Sequence, residues 1–287
     1  MKLATVFHRD ETSLVTLQSD GNGYFLRRAG KTIADIGALF SAPRDKGVID
    51  KNLDYMNDLV VEDAAIPAAA MRYKPPVLTP EKILGVSTNY PGIGHPTEFP
   101  LFFPRFRNTV IGHEDFVILP PNAGRVGWEV ELAVVIGRTA SCVERSAAMN
   151  YVGGYTIAND VTDFDETLQS LIGVSAPYLI NKNHDTFCPL GPVMVTPDEI
   201  RDPYGLSMKV WIDGELRFEG DTSGMIHRID VLISYLSSKM TLHPGDIILT
   251  GSPPVGGDIG IDRRTLRPAQ TVTMEIAGIG RLVNTIK

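Results

Sequence analysis

Glu129 and Glu131 stand two residues apart in the run Trp128-Glu-Val-Glu-Leu-Ala-Val-Val-Ile-Gly137. Residues two apart on a β-strand share a face, so the spacing sets these carboxylates side by side while Val130, Leu132, Val134 and Ile136 face the other way. Two adjacent like charges on an apolar strand ask for a cation; a solvated pair on a half-exposed strand is the competing reading. A second strand-like run, Tyr151-Val-Gly-Gly-Tyr-Thr-Ile-Ala-Asn-Asp160, ends on another carboxylate. Two glutamates and an aspartate are hard oxygen donors, suited to Mg²⁺, with Mn²⁺ or Ca²⁺ as alternatives, rather than to Zn²⁺. Neither His-Glu-x-x-His nor Cys-x-x-Cys is present to argue for zinc.

The elements that must position these residues are mostly short strands. Residues 3–7 and 14–17 read as strands, with a turn signal after them at Asp20-Gly-Asn-Gly23, and residues 48–61 carry a helical apolar stripe through Leu53, Met56 and Leu59 to Val61. From Ala64 to Pro80 the chain turns Ala- and Pro-rich, which favours an extended connector. We therefore expect a small N-terminal α/β domain over 1–75 and a larger domain over 76–287. In the larger domain, strand patterns cover 83–87, 128–136, 154–159, 191–196, 206–212, 247–250 and 271–276, and one helix covers 229–236. Few helices alternate with these strands, so the expected class is α+β with a mainly antiparallel core.

Composition excludes several functions. With 43% apolar and 21% charged residues in 287, the chain reads as globular. Its 27 Lys and Arg against 34 Asp and Glu give a formal charge of −7, which repels nucleic acid and anionic membranes. Cys142 and Cys188 lack metal-ligand spacing and suit a reduced compartment. The N-terminal run becomes charged before any signal-like stretch develops, so the expected location is the cytoplasm.

In order along residues 82–287, the chain carries Gly85-Val-Ser-Thr-Asn-Tyr90, Glu129-Val-Glu131, Gly153-Gly-Tyr-Thr-Ile-Ala-Asn-Asp160, Asp185-Thr-Phe-Cys-Pro-Leu-Gly-Pro192, Thr241-Leu-His-Pro-Gly-Asp-Ile-Ile-Leu-Thr-Gly-Ser-Pro253 and Gly278-Ile-Gly-Arg-Leu-Val-Asn284. This series resembles the fumarylacetoacetate hydrolase family. The resemblance implies a β-roll catalytic domain and a homodimer. It also implies a divalent cation, usually Mg²⁺, held by Glu129, Glu131 and Asp160 against the oxygens of a 2-keto acid or 1,3-diketone. Lys182 falls where the family keeps a lysine near the metal, with a surface lysine in a polar loop as the rival reading. Thr250 and Gly251 match a turn at the substrate carboxylate, and Tyr90 and Arg105 fall near positions that contact substrate, with Arg107 an equally placed rival of Arg105.

Two departures bear on activity. Family hydrolases follow Asn-Tyr with a lid helix carrying His-x-x-Glu, a pair that activates water. Here Ile93 takes the histidine position, and His95 with Glu98 keep that spacing two residues late beside Pro96. After Asp160 the family pattern of arginine then aspartate is replaced by Val161-Thr-Asp-Phe-Asp165, and two extra carboxylates there point to a substrate less acidic than an acylpyruvate. The first expectation is a metal-dependent hydrolase cleaving a C–C bond in an acylpyruvate-like compound, with His95 and Glu98 activating water. The alternatives are decarboxylation or tautomerisation of a 2-keto acid such as oxaloacetate, and a catalytically silent binding protein.

Overall fold

The computed structural model of the protein describes residues 1–28, 30–41, 59–92, 97–122, 124–164, 178–255 and 264–287. A large sheet runs in the order Lys31–Thr32, Gly23–Arg28, Glu11–Leu17, Lys2–His8, Cys188–Val195, Val152–Asn159, Val130–Ile136, Ile247–Leu249, Ile83–Ser87, Leu101–Arg105. Neighbours along it are antiparallel, except that Ile247–Leu249 runs parallel to Ile83–Ser87. A second sheet orders Phe116–Val117, Gly280–Ile286, Thr271–Ile276, Ser207–Ile212 and Glu215–Asp221. The class is α+β, as the sparse helices imply. The first strand pairs across the expected boundary, Lys2 with Val195 and Leu3 with Met194, so the large sheet is continuous from the N-terminal strands into the larger domain.

The strand Val130–Ile136 lies between two cores. Val130, Leu132, Val134 and Ile136 pack with Trp128, Tyr155 and the helical residues Ile229, Leu232, Ile233 and Leu236. Ala133 and Val135 pack on the other face with Ile247, Leu249, Leu39 and Leu3. Both faces are covered, which explains a nearly unbroken apolar run, and Glu131 is consequently only 2% exposed. A solvated glutamate is thereby excluded at that position.

The helix Ile229–Ser237 forms where its 3.6-residue stripe predicts. The helix expected over 48–61 fails at its C-terminal end: Leu59–Ile66 is a strand paired with Gly23–Arg28, Leu26 opposite Val61. β-Branched Val60 and Val61 fit a pleated surface better than a helix, and the sheet edge offered them backbone partners. Residues 48–58 of that expectation lie outside the described residues. Among the described residues no helix is long and apolar enough to cross a membrane.

Candidate metal centre and active site

The register of two central strands brings the first two ligands together. Val130 pairs with Asn159, so the next pair along the antiparallel ladder is Glu129 with Asp160. The Asp160 N–H donates to the Glu129 carbonyl at 2.9 Å, and the Glu129 N–H donates to Asn159 Oδ1 at 3.1 Å. Glu129 itself precedes the strand, and Glu131 enters it on the face shared with Ala133 and Val135. Ligand oxygens of Glu129, Glu131 and Asp160 all lie within 4.8 Å of one another.

Lys182 follows the short helix Tyr178–Asn181 and is 4% exposed. Its Nζ donates to Glu129 Oε2 at 2.6 Å, to Thr162 Oγ1 at 2.7 Å and to Asp160 Oδ2. The ammonium also lies 4.8 Å from the centre of the Phe103 ring. That ring crosses Gly85, where an added Cβ would come within 2.2 Å of Phe103, so only glycine leaves room for it. The surface-loop reading of Lys182 is therefore excluded.

Two arginines complete the charge pattern. Arg264 Nη1 donates to Glu129 Oε1 at 2.8 Å and its Nη2 to the Pro253 carbonyl at 2.9 Å. Arg105 Nη1 lies 3.2 Å from Asp160 Oδ1, and its guanidinium also donates to the carbonyls of Val161 and Phe187. Three carboxylates thus face three cations at close range. Burial acts to raise the Glu129 carboxyl, but Lys182 and Arg264 outweigh it and hold the group below its ordinary range. Burial and the charges of Asp160 and Glu129 push Glu131 well above that range.

The Thr250-Gly-Ser-Pro turn meets the cluster through its backbone. The Gly251 N–H donates to Glu131 Oε2 at 2.7 Å, from a glycine with φ of +89°. The Thr250 hydroxyl donates to the Leu132 carbonyl at 2.8 Å, so it anchors the turn to the central strand. Asn89 clamps the turn from the other side, its Nδ2 donating to the Thr250 carbonyl at 2.8 Å and its Oδ1 accepting the His227 N–H at 2.7 Å. Next to Asn89, Tyr90 is 2% exposed and its hydroxyl makes no hydrogen bond among the described residues. Burial, then the negative charge of Glu131, raises the ionisation of that phenol well above its usual value.

The residues proposed for substrate therefore divide. Tyr90 presents a buried hydroxyl without a hydrogen bond among the described residues, whereas Arg105, Thr250 and Gly251 are bonded to the ligands or to the strand carrying them. Arg107 lies in the short 3-10 turn Arg107–Thr109 and is exposed. Glu98 is exposed, and His95 lies outside the described residues. Asp163 turns away from the ligand cluster, its Oδ2 accepting the Gly124 N–H at 3.2 Å and lying 3.8 Å from His184 Nε2. Asp165, the other carboxylate behind the expectation of a less acidic substrate, lies outside the described residues. Sequence reasoning missed Thr162, Asn89 and Arg264. Thr162 could have been found two residues beyond Asp160; Arg264 carries no local signal, since more than a hundred positions separate it from Glu129.

The donor set fits a hard divalent cation. Three carboxylates converge, and the Lys182 ammonium already occupies a cationic position between Glu129 Oε2 and Asp160 Oδ2. Residues 84–287 match the family description "Fumarylacetoacetate (FAA) hydrolase C-terminal". The chain is 35% identical over 237 residues to the mitochondrial oxaloacetate tautomerase FAHD2B of Bos taurus, covering 79% of this chain and 73% of that protein. It is 39% identical over 193 residues to a 2,4-didehydro-3-deoxy-L-rhamnonate hydrolase of Sphingomonas sp. (strain SKA58), covering 65% and 66%. The structure of a 5-carboxymethyl-2-hydroxymuconate delta-isomerase from Mycobacterium smegmatis superposes with a TM-score of 0.78 at 30% identity, covering 100% of this chain and 99% of that one. The ordered motifs, the shared sheet architecture and the match over residues 84–287 place this chain in the fumarylacetoacetate hydrolase family.

Proposed function

We propose that the protein is a divalent-metal-dependent enzyme that interconverts the enol and keto forms of a dianionic 2-keto acid of the oxaloacetate type. The observation that carries this reading is the buried Lys182 ammonium between Glu129 and Asp160. Tautomerisation breaks no bond between heavy atoms: the enol O–H loses a proton and the adjacent carbon gains one. Its main requirement is stabilisation of the enolate between those events. A cation at Glu129, Glu131 and Asp160 supplies Lewis-acid polarisation of the substrate oxygens. Lys182 adds a fixed charge: burial pulls its ammonium down, but Asp160 and Glu129 more than offset this and keep it protonated. Tyr90 offers a buried hydroxyl to a substrate oxygen. With all three carboxylates ionised around a bound divalent ion, Lys182, Arg105 and Arg264 balance their charge and the ion leaves the site net positive, which suits a substrate with two carboxylates.

Hydrolysis of a C–C bond in an acylpyruvate-like compound is the second reading, favoured by the 39% identity to a sugar-acid hydrolase. It requires an activated water, the task that the sequence assigns to His95 and Glu98. The two are separated by following the ultraviolet enol absorbance of oxaloacetate and a panel of acylpyruvates with Mg²⁺ or EDTA, with product masses. Loss of the enol signal at unchanged mass establishes the tautomerase. Pyruvate plus a second acid establishes the hydrolase, release of CO₂ a decarboxylase, and silence across the panel sinks the reading. Lys182→Met should lower the rate by roughly 10²–10³, the usual loss when one oxyanion-stabilising donor is removed.

A further inference from the structure

Two carboxylates of the cluster spend one oxygen each on a hydrogen-bond donor outside it, and the third turns one oxygen to an ion pair without a hydrogen bond. Glu129 Oε1 accepts from Arg264 at 2.8 Å, Glu131 Oε2 from the Gly251 N–H at 2.7 Å, and Asp160 Oδ1 faces Arg105 at 3.2 Å. Glu129 Oε2, Glu131 Oε1 and Asp160 Oδ2 remain, and Lys182 already bridges the first and the last. We propose that Arg264 is a positioning residue that restricts Glu129 to one ligating oxygen, so that the site selects Mg²⁺ or Mn²⁺ over Ca²⁺. This rests on the metal-dependent reading above and adds to it the basis of metal choice.

Coordination number decides between the ions. Ca²⁺ takes six to eight oxygens and commonly uses both oxygens of a carboxylate, whereas Mg²⁺ takes six in near-octahedral geometry. With Glu129 and Glu131 each held to one oxygen, the carboxylates would supply about half of the six positions that Mg²⁺ takes, the rest being left for substrate and water. They leave Ca²⁺ far short of its preferred number.

Arg264 is the donor on which this restriction depends most. The Gly251 N–H is fixed by the backbone, and the Arg105 side chain is 0% exposed and bonded to two carbonyls besides Asp160. Arg264 instead reaches Glu129 from a distant stretch of chain. Its planar fork holds the carboxylate and the Pro253 carbonyl together, 5.7 Å from the centre of the Trp128 ring. A lysine carries its donors on a single nitrogen and lacks the planar two-nitrogen fork that fixes the carboxylate against the carbonyl. Without the fork, Glu129 is free to turn both oxygens toward a cation.

The test is calorimetric titration of the full-length protein with Mg²⁺ and with Ca²⁺, in wild type, Arg264→Gln and Arg264→Lys. Wild type should favour Mg²⁺, and both variants should raise the Ca²⁺-to-Mg²⁺ affinity ratio by roughly ten-fold or more, within the range of outer-shell effects on metal sites. Should Arg264→Gln melt below the assay temperature, Arg264→Lys decides, because it keeps the charge that balances Glu129. A ratio unchanged in the folded variants overturns the role of Arg264, and a wild type that prefers Ca²⁺ overturns the selectivity. A wild type that binds neither ion overturns the metal reading itself, an outcome distinct from both.

Discussion

Glu129 and Glu131 are chemically identical and two residues apart, yet their surroundings drive them in opposite directions. Glu129 touches Lys182 and Arg264, whereas Glu131 is buried among like charges with a backbone N–H as its hydrogen-bond donor. The consequence is a pH dependence carried by Glu131. A cation competes with the proton for Glu131, whose burial among like charges favours the protonated form, so the apparent Mg²⁺ affinity should fall as pH drops through its raised pKa and level off above it. The loss approaches about ten-fold per pH unit for one displaced proton. Folding follows the same sign. The metal-free native state keeps this proton where the unfolded chain, near 4.5, has lost it, so the stability due to Glu131 is fully present below 4.5 and is lost as pH rises through the raised value. Mg²⁺ should restore it. Calorimetric titration between pH 5.5 and 8 in buffers of different ionisation heat measures both affinity and proton release; a flat affinity with no proton released would show that Glu131 titrates as an ordinary carboxylate.

The turn Thr250-Gly-Ser-Pro253 couples the central strand to the site, and Gly251 is its most constrained position. Its φ of +89° is strained for any side chain, and an added Cβ would lie 2.9 Å from Cβ of Asn89. Gly251→Ala should therefore cost about 1–3 kcal/mol in thermal or denaturant unfolding and, by moving the N–H off Glu131, weaken Mg²⁺ binding as well. A variant as stable as wild type with unaltered Mg²⁺ affinity would refute the role given to the turn. The same division between local and distant causes governs how much the sequence disclosed. The Glu129 and Glu131 pair, the Asp160 strand and the helix Ile229–Ser237 were legible because short-range periodicity places them. Residues 59–61 were misread because an apolar run gives no sign of which sheet edge will accept it. Arg264 was invisible because its partner comes from a remote strand, and the true setting of Arg105 emerged only when the strands Leu101–Arg105 and Val152–Asn159 had been placed in one sheet.

The large sheet ends on Leu101–Arg105, which among the described residues is paired on one side only, by Ile83–Ser87. Asn183 ties that end of the strand to the helix Tyr178–Asn181, donating to the carbonyls of Pro104 at 3.0 Å and Leu179 at 3.1 Å and accepting the Phe106 N–H at 2.7 Å. Along this strand and the helix joined to it, Leu101, Phe106, Leu179 and Ile180 are 50%, 49%, 52% and 55% exposed. Covering such side chains contributes at most about 1.5–3 kcal/mol each, against a cost of roughly 4–15 kcal/mol for association. Apolar burial there only about balances the cost, so a stable pair of subunits needs further contacts, and removing two of the four should tip the balance. The dimer that the family resemblance implies predicts a two-subunit mass by light scattering at micromolar concentration, and pairing through this face predicts a one-subunit mass for the double variant Leu179→Glu, Ile180→Glu. A wild type of one-subunit mass would remove the dimer, and a double variant that stays paired would place the interface on another face.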